Sequence, residues 1–130
     1  MSDISNAALH SGPNWIVGGL YSIRGWSHHF NIAKILVIDG GVIHIAIYRE
    51  EFVGRPDAVD TASLSLGSVE DDVFGVMHIP LEASMFAQHE PELILETVVS
   101  EEDLQGYRTY LDYHSDGSQG AFGIPPTRVN

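Results

Sequence analysis

The chain has 130 residues, 44% of them hydrophobic and 18% charged, no cysteine, and a net charge of −12 from 6 basic and 18 acidic side chains. That is enough apolar mass for one self-contained domain, and it excludes disulfides, thiol chemistry and cysteine zinc sites. The carboxylate surplus argues against a nucleic-acid ligand, whose phosphates call for Lys and Arg, and against docking on an anionic membrane surface.

Residues 1–13 have no cationic start and no apolar run, so they read as a loose segment rather than a signal peptide, and the expected location is cytoplasmic. Trp15–Ile23 reads as a strand broken at Gly18-Gly19, with Trp15 in the packing. Trp26 follows in a glycine-flanked loop beside Arg24, His28, His29 and Phe30, a combination that suits a shallow ligand platform as well as a strand end.

The clearest element is Ile32–Tyr48, two apolar runs flanking Asp39-Gly40-Gly41, because Asp-Gly between such runs is a strong hairpin signal. A two-residue turn at Asp39-Gly40 sets Val37 opposite Val42, Leu36 opposite Ile43 and Ile35 opposite His44. Both faces of this hairpin are apolar, which places it mid-sheet or between two layers. Arg49–Pro56 reads as a solvated connection, and further strands are expected at Ser63–Leu66, Phe74–Ile79 and Leu93–Val99.

A short helix is expected over Ala83–Glu90, stopped by Pro91. A stronger one, Glu101–Tyr113, follows Ser100, which with Asp103 three residues on resembles a capping box. Its Leu104–Tyr107–Leu111 stripe should face the sheet, and acids in its first turn suit the helix dipole. The tail 115–130 is rich in Gly, Ser and Pro and reads as loose.

The expected fold is therefore α+β in a single domain. It has a twisted, mostly antiparallel sheet of five or six strands with one C-terminal helix packed on it, the alternative being a small β-barrel or sandwich.

The form Gly-apolar-apolar-x-Ile recurs at Gly19, Gly41 and Gly75, at unequal offsets that do not suit a solenoid. Its use here is to suggest that His44 and His78 occupy equivalent positions.

Charge is one-sided. Residues 1–56 sum to zero, so the whole −12 lies in 57–130, clustered at Glu70-Asp71-Asp72, at Glu90, Glu92 and Glu96, and at Glu101-Glu102-Asp103. This predicts a non-catalytic protein-binding module of the inhibitor or immunity type that meets a basic toxin or enzyme. Carboxylates Glu70, Asp71, Asp72, Glu101 and Glu102 would attract the partner, and Tyr107 and Tyr110 would anchor it.

No cofactor is called for on that reading, and self-association of the apolar faces into a homo-oligomer is a further option. The competing expectation is a small-ligand-binding or metal-dependent β domain. It would use Trp26, His28, His44, Tyr48 and His78, with Tyr48 or Glu82 completing a divalent transition-metal site. None of the seven histidines stands in a His-x-His or His-x-x-x-His spacing, so convergence depends on the fold. A Gly-x-Ser-x-Gly elbow and a phosphate-cradling glycine loop are both absent from the sequence.

Overall fold

The structure, a computed structural model, describes residues 14–25, 28–67 and 75–113. Five strands form one open antiparallel sheet: β1 (Gly19–Arg24), β2 (Phe30–Asp39), β3 (Val42–Phe52), β4 (Val76–Glu82) and β5 (Glu92–Glu96), in the spatial order β4-β3-β2-β1-β5. Two short helices complete it, α1 (Ala83–Gln88) and α2 (Gln105–Tyr113). The α+β expectation holds, and the β2–β3 hairpin lies inside the sheet.

The turn of that hairpin falls one residue later than Asp-Gly implies. Asp39 pairs with Val42, so Gly40-Gly41 form the turn, and Gly40 takes φ +61°. A left-handed first turn residue suits glycine, which leaves Asp39 in the strand. The pairing is consequently Ile38 with Ile43 and Val37 with His44, and a bulge at Leu36 then sets Ile35 opposite Ile45.

Further boundaries move: β3 runs on through residues 49–52, expected as a connection, β4 runs to Glu82, and the helices shorten to Ala83–Gln88 and Gln105–Tyr113. Trp15–Gly18 precedes β1 rather than belonging to it, and β5 ends at Glu96 instead of running to Val99. Ser63–Leu66 is not a strand: a 3-10 turn at Thr61–Ser63, capped by Asp60, leads into an irregular stretch. Glu50 holds that stretch, accepting hydrogen bonds from Ser65 N (2.9 Å) and Ser65 Oγ (3.0 Å). The carboxylate thus takes the Ser65 N–H, while Ser65 O accepts from Arg49 N of β3 at 2.9 Å.

Strand alternation divides the core. One face carries Tyr21, Ile23, Ala33, Ile35, Ile43, Ile45, Ile47 and Leu81, covered by Phe86 of α1, with Trp15 packed at its side. Trp15, Tyr21 and Phe86 meet edge to face, their centroids 4.9–5.9 Å apart. The other face is also buried but mixed: Leu20, Ser22, Ile32, Lys34, His44 and Ala46. The segment from Val98 through α2 lies over it, so the two helices cover opposite faces of the sheet. No helix among the described residues is long and apolar enough to cross a membrane.

Candidate functional site

The mixed face is where polar groups converge. Lys34, on central strand β2, is buried, and its ammonium donates to Val98 O (2.7 Å) and Asp103 Oδ2 (2.8 Å). Burial alone would push the Asp103 carboxyl up. The Lys34 ammonium and the Ser100 N–H and hydroxyl outweigh it and hold Asp103 below its ordinary value.

The predicted capping box forms reciprocally. Ser100 N donates to Asp103 Oδ2 (2.9 Å) and Asp103 N to Ser100 Oγ (3.1 Å). It is followed by a tight turn, with Leu104 N bonding Glu101 O, before regular α-helix begins at Gln105.

Helix α2 lies close to β4. A Cβ on Gly106 would stand 2.7 Å from His78 Cβ and 2.9 Å from Met77 Cγ, so only a bare backbone fits. That approach lays Tyr107 and Tyr110 on the two histidines. The face turned to the sheet is Gly106–Tyr107–Tyr110 rather than the Leu104–Tyr107–Leu111 stripe, and Leu111 is 45% exposed.

Beneath the helix, His44 Nδ1 and His78 Nε2 are 2.9 Å apart. The rings are 14° from coplanar with centroids 5.1 Å apart, close to the nitrogen separation plus one ring radius on each side. The imidazoles therefore meet edge to edge and share a proton, instead of aiming two lone pairs at a common point. Tyr107 and Tyr110 cross His44 at 72° and 64°, with centroids 4.8 and 5.3 Å away. Burial lowers the basicity of His44, Asp39 opposing it only in part.

Next to this cluster a cavity of about 300 Å³ opens between β3, β4, the stretch 64–66 and the turn before α2. Its apolar wall is Ala46, Leu64, Leu66 and Met77, and its polar wall is Tyr48, Ser65, Glu102, Asp103 and Gln105. Burial first, and then the negative charges of Asp103 and Glu50, keep the Tyr48 phenol in its neutral form.

The ligand set expected from sequence thus separates. His44 and His78 come together, Tyr48 lines the adjacent cavity, and His28 lies exposed in the β1–β2 loop at the opposite end of the hairpin. Trp26 lies outside the described residues, as do Glu70, Asp71 and Asp72 and the two terminal segments. Among the described residues no group of three or more His, Asp or Glu is placed to hold a metal ion. Of the expected partner-binding residues, Tyr107 and Tyr110 pack on the histidines, Glu101 ion-pairs Arg108, and Glu102 stands at the cavity. Sequence reading missed Ser65, Met77 and Gln105 as site residues. The anchoring of Ser65 by Glu50 across fifteen positions leaves no periodic trace.

The two-part charge division of the sequence is folded together. Arg24 reaches Glu90 (2.8 Å), Arg55 reaches Glu90 (3.9 Å) and Glu92 (3.7 Å), and Lys34 reaches Asp103, so three cations of the neutral half neutralise acids of the other. Arg24 and Arg55 also lie over the Phe30 ring, 4.9 and 4.7 Å from its centroid.

The fold and this face define an α+β domain with an open antiparallel sheet and a polar cavity beside a histidine pair. No protein-family model, curated protein or solved structure matches the chain.

Proposed function

We propose that the protein is an acidic binding module that neutralises a basic protein, in the manner of an inhibitor or immunity protein. The observation that carries this reading is the internal use of its cations. Arg24, Lys34, Arg49, Arg55 and Arg108 each ion-pair a carboxylate of the same chain, while the net charge is −12. Glu102 is exposed and forms no ion pair among the described residues, and the 12-charge surplus of acids over bases gives the molecule a net negative field that acts outward. Such a field accelerates encounter with a positive surface and repels anionic ligands.

The test is affinity capture at low salt, followed by reconstitution of the complex from the two purified proteins. The reading predicts a stoichiometric complex with a partner of pI above about 9. A reconstituted partner that is acidic overturns it, as does a complex that fails to form between the purified components.

A further inference from the structure

The cavity between Tyr48, Ser65, Met77 and Glu102 combines features that act together on one kind of ligand. We infer that it receives a single lysine or arginine side chain from a protein partner. The inference rests on the basic-partner reading and adds the pocket at which that partner is held. At about 300 Å³ the cavity lies at the lower end of small-ligand pockets and has room for one long side chain.

Its apolar wall of Leu64, Leu66 and Met77 suits an aliphatic stem, and its polar rim suits a cationic head. Glu102 is exposed at that rim and forms no ion pair among the described residues. Lys34, the buried cation nearby, is turned into Asp103 and Val98 O and does not line the space. Glu50 lies behind the wall, accepting two hydrogen bonds from Ser65 and paired with Arg49 at 3.5 Å. Tyr48, which lines the cavity, has its phenol kept neutral by burial first and by the Asp103 and Glu50 carboxylates second, so it offers the cavity an uncharged hydroxyl. An anion would meet the Glu102 carboxylate unfavourably, and a neutral side chain would leave Glu102 without a counter-charge. A cation on a flexible apolar stem satisfies both walls, and an overall −12 favours a protein that brings one.

Backbone-blocked lysine and arginine amides, with blocked norleucine as the neutral isostere, are titrated into the whole protein and followed by amide NMR. Saturable shifts are expected at Tyr48, Ser65, Met77 and Gln105 with both cationic probes, and weaker binding by about ten-fold with norleucine. Glu102→Gln should weaken the cationic probes by a similar factor. Glu96→Gln, on edge strand β5, should leave them unchanged, and its spectrum reports folding independently. Shifts scattered over the surface, or indifferent to Glu102→Gln, overturn the inference. So does tighter binding of a free diamine than of the blocked amides, which would assign the pocket to a small polyamine instead of a protein side chain. If a basic partner associates while neither blocked amide perturbs the cavity, this inference fails and the basic-partner reading stands. If neither occurs, both fail.

Discussion

Gly106 separates two physical effects that oppose each other at a single atom. Gly→Ala inside a helix ordinarily stabilises by about 0.5–1 kcal/mol, yet here the new Cβ would collide with His78 Cβ and Met77 Cγ. We expect Gly106→Ala to destabilise by about 1–3 kcal/mol, the cost of an overpacked contact, read as a shift in urea midpoint at unchanged slope. A stabilised variant would show that α2 does not lie on β4.

His78→Ala tests the neighbouring contact, because it strands His44 Nδ1 in a buried position. A loss of about 1–3 kcal/mol is expected on that ground. The pair also gives a pH dependence of known sign. The folded protein lowers His44 below its ordinary 6.5, with His78, Tyr107 and Tyr110 around it and Asp39 the opposing charge. The unfolded chain therefore binds the proton more readily, so this part of the stability is complete above pH 6.5 and is lost as pH falls through the folded value. Denaturant titrations across that window should show the loss in the wild type and a flatter profile in His44→Gln. Equal slopes would contradict it.

At the level of elements, α2 is held by what precedes it. The capping box fixes the turn 100–104, and Lys34 ties that turn to the central strand through Asp103 and Val98. Lys34→Met removes both ties and leaves Asp103 without its cation. Amide exchange should then quicken in Gln105–Tyr113 while β2 and β3 keep their protection. Uniform acceleration would indicate that Lys34 supports the whole sheet instead.

The hairpin, the capping box and the α+β class were legible because each depends on residues close in sequence. Asp39-Gly40-Gly41 signals a turn whatever surrounds it, although two adjacent glycines left its register open by one. The Leu111 stripe misled for a physical reason: helical periodicity marks apolar positions, whereas here bare Gly106 sets the approach and the tyrosine rings cover imidazoles. Ser63–Leu66 misled because only Ser65 O meets the β3 backbone, at Arg49 N, while its N–H is taken by the Glu50 side chain, so no ladder forms. The glycine recurrence is explained more simply, since Gly19 opens β1 and Gly41 and Gly75 immediately precede β3 and β4.

For the molecule as a whole, the sum of charges was plain from the sequence and their arrangement was not. Arg24, Lys34 and Arg55 cross from the neutral half to Glu90, Glu92 and Asp103, so the outward field depends on the carboxylates left over rather than on an acidic half as such. The most direct test is the association rate of the reconstituted complex, measured by stopped flow as ionic strength is raised. Because steering by a −12 surface is screened by salt, the rate should fall by about ten-fold or more between about 20 and 200 mM salt. Dissociation should change far less. An association rate that stays constant across that range would contradict the electrostatic capture of a basic partner.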